Sequence, residues 1–262
     1  MTRNLRFSLL SNALDSLAQG IEFTLLYKNR PSRLKLAVLL LTQAVELTLK
    51  ERLRREHWAL IFAKVDQANK PNAHTVSLME AKKRLEVIAN LLFSQDDTNT
   101  IKNLAEIRNR IQHYEIDIPF EVVLSYVHSA IGFLVRFTKK ELGEDIMDLL
   151  PSEQYQKLLE IESIYNDLEE VASKRIEELQ RKLRPVRPKD LAIWDFNIIE
   201  CPLCRNEFYV FSRSEHISEC KFCGYKGGFV ECARCGNVFP AGEDLEDKFY
   251  LCENCEAYLY HQ

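Results

Sequence analysis

Apolar residues recur at steps of three and four between Leu9 and Leu26, with Leu10, Leu14, Leu17, Ile21 and Leu25 on one stripe. That spacing predicts an amphipathic helix, which Asn29-Arg30-Pro31-Ser32 then breaks. A second helix is expected from about Leu34 to Glu56. Leu34, Val38, Leu41, Val45, Leu49 and Leu53 share one face, and Leu36, Leu40 and Leu47 fall on others. A helix apolar on most of its sides belongs at the centre of a fold. The stretch from His57 to Thr75 has no helical period; it reads as irregular, with a β-like Leu60-Ile61-Phe62 and a turn at Lys70-Pro71-Asn72.

A third helix is expected over Ser77 to Leu92, capped by Thr75 or Ser77 with Glu80 in its first turn. Ser94-Gln95-Asp96-Asp97-Thr98 reads as a polar loop, followed by a fourth helix over Thr100 to Glu115. Pro119 opens a fifth, ending near Gly143, with Val123, Val127, Ile131 and Leu134 along one side. Residues 151–184 carry Leu158, Ile161, Leu168, Val171, Ile176 and Leu179 among many charges. They predict a long, largely solvated helix, followed by the Pro-rich linker Arg184-Pro185-Val186-Arg187-Pro188.

The expected fold class is therefore mainly α: a helical bundle over 1–143, a charged connecting helix and linker over 144–188, and a small β-rich module over 189–262. The chain has 262 residues, 46% hydrophobic and 28% charged, with eight Gly and eight Pro, as in a soluble globular protein of two domains. Its longest apolar run, Leu36 to Leu41, is short for a bilayer, and Asn12 and Asp15 interrupt any leader-like segment; a cytoplasmic protein without a membrane partner is expected.

Charge divides the chain. Residues 1–143 hold 21 Lys and Arg against 15 Asp and Glu, a formal +6, whereas residues 144–262 hold 14 against 24, a formal −10. The first part is the one that attracts polyanions.

All eight cysteines lie in four C-x-x-C pairs: Cys201/Cys204, Cys220/Cys223, Cys232/Cys235 and Cys252/Cys255. Each such turn holds two thiolates close enough to share one tetrahedral Zn²⁺, and the spacing between pairs is that of zinc ribbons. Gly224 and Gly236 permit a tight backbone after two of the pairs. A disulfide scaffold or an iron–sulfur cluster is the competing reading, and the four paired turns favour two structural zinc ions. Sequential pairing gives two ribbons in tandem; a cross-braced arrangement would join Cys201/Cys204 to Cys232/Cys235. His216 and His261 are read as bystanders. From residue 185 onward 8 Lys and Arg face 13 Asp and Glu, so contact with a protein partner, or a structural role, suits this acidic region better than a grip on nucleic acid.

The fourth helix carries Arg108-Asn109-Arg110-Ile111-Gln112-His113. The same Arg-to-His spacing recurs at Arg52 and His57, but only Arg108 has Asn directly after it. At ~100° per residue Leu104, Ile107, Ile111 and Tyr114 cluster on the core side. Asn109 and His113 fall one turn apart on the opposite side, with Arg108 at the margin. Taken alone, such a triplet is most simply a solvated face near a helix C-terminus, where cations are favoured. Glu46 is read as an i, i+4 partner of Lys50, and Arg52-Leu53-Arg54-Arg55 and Lys82-Lys83-Arg84 as solvated basic faces. His57, His74 and His128 carry no functional reading.

The helical order, the R-N-x-x-x-H string and Ala44-Val45-Glu46-Leu47-Thr48-Leu49-Lys50 resemble the HEPN superfamily (higher eukaryotes and prokaryotes nucleotide-binding domain) over about residues 5–143. The resemblance implies a metal-independent endoribonuclease of a toxin–antitoxin or antiviral defence system. It also implies a homodimer in which two motif helices face each other over the RNA substrate, with Arg108, Asn109 and His113 as catalytic residues and no catalytic cofactor. Some HEPN toxins place a Tyr two residues after the His, where a partner enzyme modifies it; here Tyr114 follows directly and Glu115 stands at that place. Two other functions fit the same residues: a non-catalytic HEPN module binding nucleotide, RNA or protein, and a zinc-ribbon regulator whose helical part dimerises.

Overall fold

The computed structural model describes residues 6–28, 30–70, 72–115, 117–183, 196–212, 217–236, 238–240, 251, 252, 255 and 258. The linker read at 184–188, His216 and His261 lie outside them. The chain separates into two compact units, Met1–Tyr165 and Asn166–Gln262.

The first unit is helical: α1 (Leu9–Leu25), α2 (Ser32–Glu56), α3 (Leu78–Ile88), α4 (Gln95–His113), α5 (Phe120–Phe137), the short α6 (Ile146–Leu149) and the first part of α7 (Ser152–Leu183). α2 is central, as its all-round apolar pattern predicts. It packs against α1, α3, α4 and α5 and buries Val38, Leu41, Val45, Leu49 and Leu53. α1 comes close to it at Gly20, where an added Cβ would stand 2.8 Å from Leu41 Cγ.

Helix ends explain the departures from the sequence reading. α3 begins where expected, with Ser77 and Glu80 forming a reciprocal capping box. It stops at Ile88 rather than Leu92 because Asn90 takes the left-handed conformation (φ 52°), which terminates a helix and which Asn tolerates. α4 starts at Gln95, inside the stretch read as a loop. The Ser94 hydroxyl accepts from the Asp97 N–H, and Asp96 and Asp97 sit in the first turn, where carboxylates favour the helix dipole.

Leu60-Ile61-Phe62 is not a strand. Trp58–Ile61 forms a 3-10 turn and only Phe62 pairs, bridging to Thr75. α5 continues as a π turn over Thr138–Leu142 and ends at Gly143, whose φ is 69°. Among the described residues one stretch, Phe120–Leu142, is long and apolar enough to cross a membrane, with a mean hydropathy of 1.4. Over half of its most apolar window (56%) is buried in the bundle, as in a core helix.

The basic segments read as solvated faces are largely occupied. Arg54 and Arg55 both bind the buried Glu51, and Arg52 pairs with Glu56 at 2.5 Å and reaches Glu141 at 3.8 Å. Lys82 pairs with Glu86. Arg84 donates to the carbonyls of Leu60, Phe62 and Ala63 at 2.7, 2.7 and 2.9 Å. His128 stacks on Tyr165 with ring centres 3.8 Å apart and contacts Glu162 Oε2 at 3.0 Å, seating the start of α7.

In the second unit, β1 (Asn197–Ile199), β2 (Tyr209–Ser212) and β3 (Ile217–Cys220) form an antiparallel sheet in the order β1-β2-β3. β4 (Phe229–Glu231) and β5 (Val238–Pro240) form a second antiparallel pair. All four residues of β2 are buried. The hydroxyl of buried Tyr209 lies 2.6 Å from Ser218 Oγ, donates to the Gly227 carbonyl at 2.9 Å and accepts from the Gly227 N–H at 3.1 Å, fixing the loop after β3.

A candidate helix-face site and two cysteine quartets

The cysteines converge as two sequential quartets, Cys201/Cys204/Cys220/Cys223 and Cys232/Cys235/Cys252/Cys255. In each, all sulfurs lie within 4.8 Å of one another. The tandem pairing is therefore the one adopted, and the cross-braced pairing is not. Chain turns place the ligands. The Arg205 N–H donates to the Cys201 carbonyl, and the Gly224 and Gly236 N–H groups donate to those of Cys220 and Cys232, each at 2.9 Å. Gly224 (φ 75°) and Gly236 (φ 73°) occupy the left-handed region that the sequence assigned to glycine. After the first pair that place is held by Arg205 (φ 63°), which sequence gave no reason to expect.

Sulfur separations test the ligand. Cys201–Cys223, Cys204–Cys220 and Cys235–Cys252 stand 3.8, 3.7 and 3.7 Å apart. A disulfide needs about 2.05 Å, whereas four thiolates ~2.3 Å from one zinc ion stand roughly 3.8 Å apart along the tetrahedron edge. The donor sets and spacings fit two metal ions. The quartets differ in shielding: all four thiols of the first are buried, while in the second Cys235 is exposed and Cys252 and Cys255 are half-buried. Cys232 is held down to about 6, chiefly by the backbone N–H of Cys252.

On α4, Leu104, Ile107 and Ile111 are buried as predicted. Tyr114, expected beside them, is 73% exposed. The helix ends at His113, and Tyr114 is extended (φ −134°, ψ 166°), so its side chain leaves the helical phase. Asn109 and His113 are exposed and Arg108 is half-buried. Arg108 Nη1 lies 3.6 Å from Glu46 Oε2. The other oxygen of Glu46 takes the Lys50 ammonium at 2.6 Å, the pairing expected from their spacing. Lys50 Nζ also donates to Thr75 Oγ1 at 2.9 Å. A line of polar contacts thus runs from Arg108 on α4 through Glu46 and Lys50 on α2 to Thr75. Sequence spacing reveals the local pair within this line but not its two long-range joints.

No protein family model, curated protein or solved structure matches this chain. An exposed imidazole and carboxamide one turn apart, beside a guanidinium already oriented by a carboxylate, can exchange a proton, orient an oxygen and neutralise a phosphate.

Proposed function

We propose that the protein is a metal-independent endoribonuclease of the HEPN type, with structural zinc in its two cysteine quartets. The observation that supports this reading is the exposed Asn109 and His113 at the end of α4, beside an Arg108 braced by Glu46. RNA carries its own nucleophile. One His113 imidazole removes the proton of a 2′-hydroxyl, whose oxygen attacks the adjacent phosphorus. The 5′-oxygen leaves and takes up a proton, from a second His113 across a homodimer or from water. Products are a 2′,3′-cyclic phosphate and a 5′-hydroxyl. Arg108 neutralises the charge that grows on the phosphorane oxygens, and Asn109 orients them. Cys201, Cys204, Cys220 and Cys223 would hold one zinc ion and Cys232, Cys235, Cys252 and Cys255 the other, where the metal replaces the core that so short a segment lacks.

The test is incubation of the purified protein and its His113→Ala variant with end-labelled RNA in chelator. Cyclic-phosphate ends are expected, at a rate lower by about 10² in the variant. Cleavage unaffected by the substitution would sink the assignment. The Arg108–Glu46 pair also suits a module that holds RNA without cutting it, which is the reading to adopt if RNA binds and stays intact.

A further inference from the structure

The segment between α2 and α3 carries a second cationic feature. A cavity of ≈ 210 Å³ opens there, with Lys64, Gln67, Lys70, Asn72 and His74 in its wall and no carboxylate among the described residues that line it. Lys64, Lys70 and His74 are exposed. The neighbouring cations Arg52, Arg54, Arg55 and Lys82 are committed to carboxylates and Arg84 to carbonyls. Among the described residues Lys64 and Lys70 have no such ion pair, which leaves their ammonium groups available to an incoming anion.

The rim is held in place before any ligand arrives. The Ala63 N–H donates to the His74 carbonyl at 2.8 Å and the Val76 N–H to that of Ile61 at 2.9 Å. Phe62 bridges to Thr75, and Arg84 gathers three carbonyls of the same segment. Thr75, next to His74, is the end of the line of contacts that begins at Arg108. At the segment's other end Trp58 is 48% exposed, its ring edge-on to Phe62 at 6.1 Å. Ammonium groups around a small cup, with an open indole in the same segment, are the two parts of a single-strand binding surface, which neutralises phosphate and stacks bases.

We propose that the Lys64–Lys70–His74 cup binds a backbone phosphate of single-stranded RNA and that Trp58 stacks a base of the same strand. The inference rests on the ribonuclease reading for its choice of ligand. The cup admits a phosphate group and is too small for a folded peptide element.

The test uses full-length protein and a non-cleavable 2′-O-methyl RNA oligomer, with binding followed by fluorescence anisotropy over a range of salt. In the Lys64→Ala/Lys70→Ala variant the dissociation constant is expected to rise about tenfold and the salt dependence to flatten by about one phosphate contact. Lys64→Arg/Lys70→Arg should retain binding. In a Trp194→Phe background, where Trp58 is the remaining tryptophan, RNA should quench the emission. Both lysines are exposed, and circular dichroism checks that the variants fold. Equal affinity and equal salt dependence in the alanine variant would overturn the proposal. So would inorganic phosphate binding at the cup while RNA does not bind. If RNA binding depends on the cup but wild-type protein leaves 2′-hydroxyl RNA intact, the ribonuclease reading falls and the cup stands.

Discussion

Glu51 shows how the fold spends its basic residues. Its carboxylate, 3% exposed, accepts from Arg54 Nε and Nη2 at 2.8 Å each and from Arg55 Nε at 3.2 Å. Burial works to raise its proton affinity, but the hydrogen bonds and charges of the two arginines outweigh it and hold the carboxyl below the ordinary range. A carboxyl depressed in the folded state contributes stability above its unfolded pKa of about 4.3, and that contribution fades as pH falls toward the folded value. Replacing Glu51 by Gln is therefore expected to cost about 2 kcal/mol at neutral pH. Urea unfolding followed by the helical signal should show wild type and variant converging in acid; a gap that persists unchanged at pH 3 would contradict this account. The cluster Arg52 to Arg55 reads in sequence as a solvated basic face. Its true partners, Glu51 within the helix and Glu141 far along the chain, separate it from Lys64 and Lys70, which period and charge count did not single out.

At the scale of elements, the periodicity of α1, α2, α5 and α7 was readable because each buries a stripe. The ends of α3 and α4 were less so, because Asn90 and Ser94 act through backbone conformation and one hydroxyl rather than through apolar pattern. The cysteine turns were the most legible part, since thiolate spacing is a local property; their different shielding is tertiary and left no trace in sequence. That difference has a kinetic consequence. Under a chelator the second quartet is expected to release its metal first and the enclosed first quartet later, giving two phases in a stopped-flow dye assay. A Cys232→Ser variant should lack the fast phase and Cys204→Ser the slow one; a single common rate would show that shielding does not control release.

The chain joins a basic N-terminal part (residues 1–143, formal +6) to an acidic part that carries the cysteine quartets (residues 144–262, formal −10), and the proposed chemistry is completed by a second copy of the first. His113 stands exposed at a helix end, open to a second His113 from another chain that would protonate the leaving group in place of water. Light scattering of the intact protein at tens of micromolar is expected to give a dimer, and a strict monomer would remove the composite site. Sequence suggests this arrangement through the family resemblance and the polar face of α4, and the face alone does not decide it, because a face awaiting a partner and a face awaiting water look alike in one chain.

Arg84 lends the first unit a further property. A segment of twenty-one residues between two helices would ordinarily fray on its own, since surface connections open at little cost. Here a guanidinium rooted in α3 spans three carbonyls of that segment, those of half-buried Leu60 and Phe62 and exposed Ala63, so releasing them costs all three their donor and leaves a helix side chain without its contacts. The segment thus borrows its lifetime from α3. Amides such as those of Ala63 and Val76, bonded across the same segment, are thereby expected to exchange with solvent on the clock of a helix rather than that of a loop.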